Sequence, residues 1–151
     1  MAKFVCLLCV IFAIAPSKSQ GTDFFDCESE KLELVFVQDA SHSVGEQGFQ
    51  QAKDFIADTV RQLPIGQDKI RVALVRFGTV ADVIFGLAEA SDVKTVTDAV
   101  DGIEYVVGGT YTAQALRSVG EKVLKHARPD AHSVAVVITD GASDSARKTR
   151  V

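Results

Sequence analysis

Between residues 32 and 138, short apolar runs alternate with longer stretches whose apolar residues recur at helical spacing. Residues 32–37 (LELVFV) are suited to a buried strand, and residues 70–77 (IRVALVRF), 80–85 (VADVIF) and 133–138 (SVAVVI) supply three more. From Gly45 the period changes. Phe49, Ala52, Ile56, Val60 and Leu63 fall on one face of a helix that Pro64-Ile65-Gly66 ends. Ser43 and Glu46 have the Ser-x-x-Glu spacing of a capping box at its start. Ser91 is placed to cap a second helix carrying Val93, Val96, Val100 and Ile103. After Gly108-Gly109, a third helix is expected over about residues 112–126, with Ala115, Leu116, Val119 and Val123 turned inward.

The connections set the topology. Gly78-Thr79 is too short for a crossover, so the second and third strands must be antiparallel. The other strands are separated by helices, which implies parallel pairing and a sheet covered on both faces. The expected fold is therefore α/β: a doubly wound, Rossmann-like, mostly parallel sheet with one antiparallel edge strand. In a doubly wound sheet ordered 3-2-1-4, the first and fourth strands lie side by side.

The N-terminus has a different texture. Residues 4–15 (FVCLLCVIFAIA) are twelve consecutive apolar residues, preceded by Lys3 and followed by Pro16-Ser17-Lys18-Ser19. A bilayer span needs about 20 residues, whereas a short basic start, an apolar block and a small-residue exit describe a secretory signal peptide. Residues 1–19 are assigned to that signal, 20–31 to a polar lead-in and 32–151 to the domain. Cleavage near Ser19 removes Lys3 and Lys18 and no acidic residue, moving the formal charge from −4 to −6. An acidic secreted chain is a poor match for nucleic acid or anionic membranes. Cys6 and Cys9 leave with the signal. Cys27 then stands alone in an oxidising compartment, as an intermolecular half-cystine, a free thiol or one half of a pair whose partner lies outside this chain. The sequence contains no Asn and so no N-glycosylation site.

Chemistry gathers at the strand ends. The first strand runs into Asp39-Ala40-Ser41-His42-Ser43, the fourth into Thr139-Asp140-Gly141, and Gly108-Gly109-Thr110 lies between them. Ligands of such sheets bind in the crevice at the carboxyl ends of neighbouring strands, where Asp39 and Asp140 would face one another. With Ser41, Ser43 and Thr110 they make five oxygen-bearing side chains. This hard set suits Mg²⁺, Mn²⁺ or Ca²⁺ rather than zinc. Two carboxylates neutralise a divalent ion, and an octahedral one keeps a position for an outside carboxylate. Each residue also has a plainer role: Ser43 and Thr110 as helix caps, with Thr112 the alternative to Thr110, and Asp140-Gly141 as a turn. Nucleophilic catalysis has less to build on. His42 is the nearest imidazole and is awkwardly placed for a triad. No Gly-x-Ser-x-Gly elbow, Gly-x-x-x-x-Gly-Lys-Ser/Thr loop or Gly-x-Gly-x-x-Gly fingerprint occurs.

Asp-x-Ser-x-Ser after one strand, Gly-Gly-Thr before a helix and Thr-Asp-Gly after another strand together resemble a von Willebrand factor type A domain. The stretches LVFVQDAS, IRVALVRFG and GGTYTAQAL are similar to matrix members such as matrilins and non-fibrillar collagens. The resemblance implies a metal-ion-dependent adhesion site at Asp39, Ser41, Ser43, Thr110 and Asp140. It also implies a secreted, non-enzymatic matrix module. Such a module grips a Glu or Asp of collagen or another matrix protein through the cation, or else assembles with itself or collagen without metal. In the family the sheet continues beyond the fourth strand, so the chain reads as C-terminally incomplete, with that strand an open edge. A family cysteine before the first strand pairs with one after the last helix, and Cys27 stands at the first of these positions.

Overall fold

The computed structural model describes the strand Leu8–Ala13 and residues 31–141. Cys27, most of the lead-in and the Ser- and Arg-rich tail lie outside the described residues. The elements are β1 (Leu8–Ala13), β2 (Leu32–Asp39), α1 (Gly45–Arg61), β3 (Ile70–Phe77), β4 (Ala81–Phe85), α2 (Val93–Asp101), α3 (Thr112–Ser118) and β5 (His132–Thr139). The sheet order is β1-β5-β2-β3-β4. β2 is parallel to both β3 and β5, and β4 closes one edge antiparallel to β3. The mostly parallel sheet with its antiparallel edge strand is the architecture that the connection lengths imply.

The strand runs are continuously apolar because each strand feeds two cores. Leu34, Phe36, Val72 and Leu74 pack against Phe49, Ile56 and Val60 of α1 and Val96 and Val100 of α2. Their neighbours Val35, Val37, Ala73 and Val75 pack against Ala115, Val119 and Val123 on the opposite face. Fully burying one such Val, Leu or Phe side chain is worth about 1.5–3 kcal/mol, so both layers are needed to hold the sheet. At the amino end of the sheet the Glu33 carboxylate, with 0% exposure, accepts bonds from Arg71 Nε (2.9 Å) and Arg71 Nη2 (2.6 Å) and from Arg128 Nε (2.8 Å). That cluster fastens β2, β3 and the segment leading into β5.

Three local expectations change. The Ser43–Glu46 capping box does not form: Val44 is the N-cap of α1 without a side-chain cap bond, and Ser43 Oγ lies 3.2 Å from Ser41 Oγ instead. Asp92, not Ser91, caps α2 by accepting the Thr95 N–H at 2.8 Å, since an ionised acceptor makes the stronger bond. The third helical segment spans the expected residues but is α only to Ser118. It widens to a π turn at Val119–Val123 and tightens to a 3₁₀ turn at Leu124–His126, which keeps Val119 and Val123, four apart, both buried. In the whole chain the β5 edge, expected to be open once residues 1–19 are removed, is paired. β1 pairs antiparallel with it from Leu8↔Thr139 to Ala13↔Val134, because a row of unpaired backbone groups accepts an extended segment of matching length.

Candidate metal centre

β2 and β5 run side by side in register to Gln38↔Ile138, so Asp39 and Asp140 emerge from neighbouring strand ends. Asp39 is 1% exposed. Its Oδ1 accepts the Ser41 backbone N–H at 2.8 Å, and its Oδ2 accepts the Thr139 hydroxyl at 2.6 Å. The first of these bonds curls the chain back after β2, leaving Ser41 buried and its hydroxyl 3.2 Å from that of Ser43 at the exposed rim. Burial pushes the Asp39 carboxyl above its ordinary value, against the Thr139 and Ser41 hydrogen bonds, and repulsion from Asp140 pushes it further. Two acids that repel one another beside paired hydroxyls are a site that gains from a bound cation.

Three loops meet here, held largely by backbone. Ser41 and Gly108 form an isolated parallel bridge, with the His42 N–H donating to the Gly108 carbonyl at 3.1 Å. Thr110, two residues further on, is 5% exposed. The β3–β4 turn locks the same segment: the Thr79 hydroxyl accepts the Gly109 N–H at 2.9 Å, and the Tyr111 N–H donates to the Gly78 carbonyl at 3.3 Å. Gly108 is required by contact. A Cβ there would fall 2.5 Å from the Thr79 nitrogen and 2.8 Å from its hydroxyl. On its outer side the site is flanked by a shallow cleft lined by Ala40, Thr79, Val80, Val106, Val107 and Gly108, with Val80 and Val107 each 57% exposed.

Asp39, Ser41 and Ser43 thus form one connected cluster, Asp140 stands within electrostatic reach of it, and Thr110 enters on the loop bridged to Ser41. Thr112 is instead the first residue of α3. Among the described residues no group of three or more His, Cys, Asp and Glu could hold a metal ion. A cation here would therefore depend on hydroxyl oxygens, and the set of five oxygen-bearing side chains is compatible with one. Supporting residues emerged only in three dimensions. Thr139 lay inside the Thr-Asp-Gly motif without a role, and Thr79 read as part of a turn.

A family model of the von Willebrand factor type A domain matches residues 33–151. The chain belongs to that family. It is 36% identical over 120 residues to the mouse collagen alpha-1(XX) chain, covering 78% of this chain and 9% of the collagen. To cuticlin-6 of Caenorhabditis elegans it is 35% identical over 119 residues, 78% of this chain and 21% of that one. These relatives are extracellular matrix proteins, and this chain is an extracellular member of the same group. Among solved structures it is similar to proximal thread matrix protein 1 from the mussel byssus, with a TM-score of 0.70 and 25% identity over 94% of this chain and 33% of that one. A second structure of that thread protein, with a zinc-occupied MIDAS motif, matches at a TM-score of 0.64 and 25% identity over 84% of this chain and 29% of that one. The chain thus spans a third or less of these relatives. Among the described residues no helix is long and apolar enough to cross a membrane.

Proposed function

We propose that the chain is a secreted matrix adhesion module in which Asp39, Ser41, Ser43, Thr110 and Asp140 hold a divalent cation. The cation bridges to a Glu or Asp on collagen or another matrix protein. The observation that carries this reading is the buried Asp39 carboxylate, fixed at one end of the Ser41–Ser43 hydroxyl pair and raised in pKa by burial and by Asp140. The oxygen-only donor set favours Mg²⁺, with Mn²⁺ and Ca²⁺ as substitutes. The zinc-occupied motif of the mussel thread protein supports a divalent ion in general and makes Zn²⁺ the necessary competitor. The exposed Val80, Val106 and Val107 offer apolar contact to the partner beside the bridging carboxylate.

Binding fits the site better than catalysis does. The Ser41 hydroxyl is buried and hydrogen-bonded to Ser43, whereas a nucleophilic serine needs a base within reach. In this reading residues 1–19 are a signal removed on secretion, which bares the β5 edge, and Cys27 pairs outside this chain.

The test is calorimetric titration of the chain with Mg²⁺, Mn²⁺, Ca²⁺ and Zn²⁺, alongside binding to immobilised collagen with and without chelator. Asp39→Ala should abolish cation binding and collagen capture while the protein stays folded. A cation at 100 times its Kd should add about 2.7 kcal/mol to unfolding stability. Collagen binding that persists in full in chelator overturns the bridge and favours metal-independent matrix assembly.

A further inference from the structure

Tyr105 lies in the segment between α2 and the Gly108-Gly109 loop, 64 residues from Ser41 in sequence, yet its hydroxyl donates a 3.0 Å hydrogen bond to the Ser41 carbonyl. Its ring is held by Phe49 of α1, with centroids 5.3 Å apart and planes tilted by 42°. Phe49 is 2% exposed, and its own carbonyl accepts the side-chain amide of Gln38 at 3.0 Å. Gln38 is fully buried on β2, immediately before Asp39. One closed circuit therefore leaves β2 at Gln38, passes through the Phe49 turn and the Tyr105 ring, and returns to the metal loop at Ser41.

We propose that Tyr105 is a positioning residue for the candidate metal site, presetting the Ser41 and Ser43 hydroxyls by fixing the Ser41 carbonyl. This rests on the site reading above. The Asp39 bond to the Ser41 N–H fixes the peptide before that residue, and the peptide after it, which carries both the Ser41 carbonyl and the His42 N–H, is held at its N–H by the Gly108 carbonyl. At the opposite end of that plane the Ser41 carbonyl accepts the Tyr105 hydroxyl, so the peptide is pinned at both ends and its tilt is fixed by the pair of bonds. A hydroxyl on a flexible loop would have to be ordered when the cation arrives, whereas here the ordering is supplied by folding. The ring is partly buried against the first core, so its position is set by packing independently of any cation.

Tyr105→Phe keeps the ring and removes only the donor. Loss of an outer-shell partner typically costs 10–100-fold in metal affinity. In the full chain, the variant should retain its unfolding transition in chelator to within a few degrees. It should bind Mn²⁺ or Mg²⁺ about tenfold more weakly by calorimetry, and the metal-free protein should show faster amide exchange at Ser41 and His42. Phe49→Leu, which loosens the ring while leaving the hydroxyl, should fall between wild type and Tyr105→Phe. Wild-type affinity together with wild-type exchange in Tyr105→Phe overturns the positioning role and leaves the site reading intact. A wild-type chain that binds none of the cations overturns the site reading itself. Exchange at Ser41 and His42 in the metal-free protein reports on the Tyr105 bond separately from that outcome.

Discussion

The hydroxyl of Thr139 donates a 2.6 Å hydrogen bond to Asp39 Oδ2, tying together the carboxyl ends of the two central parallel strands. Asp39 has lost almost all of its water, so this bond replaces hydration that the carboxylate would otherwise lack. The same Thr139 oxygen accepts the Gly141 N–H at 3.2 Å and so shapes the turn that carries Asp140. Thr139→Val keeps the shape and deletes both roles. It is expected to cost about 1.5–3 kcal/mol, the usual worth of a hydrogen bond to a charged group, read as a lower denaturation midpoint. An unchanged midpoint would show that the bond contributes nothing net.

Asp39 itself is expected to give the metal-free chain an unusual acid profile. Burial raises its folded-state pKa above the ordinary 3.8, so the folded chain holds the proton more tightly than the unfolded one. Stability in chelator should fall as the pH rises from 3.8 through that raised value, and Asp39→Asn should flatten this component. Cation binding competes with the proton and should weaken over the same window as the pH is lowered. Denaturant titrations of both proteins across the acid range, with and without Mg²⁺, check the sign.

Glu33 should behave oppositely. Burial raises its carboxyl, but the hydrogen bonds from Arg71 and Arg128 outweigh it and hold the group below its ordinary 4.5. Its stabilisation is present above pH 4.5 and is lost as the pH falls through the lowered value. Glu33→Gln leaves two guanidinium groups without their counter-charge and is expected to cost about 3–5 kcal/mol. Calorimetric melting near neutral pH would read this. The cluster sits at the far end of the sheet from the candidate metal centre, so any folded variant should keep its cation affinity.

Gly108→Ala tests the junction of the three loops. The new Cβ would be driven into the backbone nitrogen of Thr79 at 2.5 Å, so either the β3–β4 turn or the Gly108–Thr110 loop must move. Overpacking of this kind typically costs about 1–3 kcal/mol. Because Gly108 is bridged to Ser41, cation binding is expected to fall with it. Gly120→Ala, at a helical position where a Cβ meets nothing within 4 Å, is the matched control and should lower neither property.

Much of the molecule is legible in local pattern. The strand runs, the helical faces and the two-residue Gly78-Thr79 connection lead to a parallel sheet with one antiparallel edge, because periodicity and connection length are local quantities. Hydroxyl partnership is less legible even at short range. The Ser43 hydroxyl could have capped α1 or faced Ser41, and in the folded loop, where Ser41 curls back onto Asp39, it does the second. The β5 edge is also settled by tertiary structure. In the whole chain, β1 covers it, although residues 1–19 read in isolation as a segment to be removed.

The sequence by itself determined the residue types of the candidate site, its strand ends and its oxygen-only chemistry. These follow from motif spacing along a chain whose strand order is restricted by short connections. Only the tertiary structure decided that Thr139 buttresses Asp39, that Gly108 must lack a side chain and that Tyr105 reaches Ser41. Each of these joins segments 29 to 100 residues apart, and a contact over such a distance exists only once the sheet has brought the loops together.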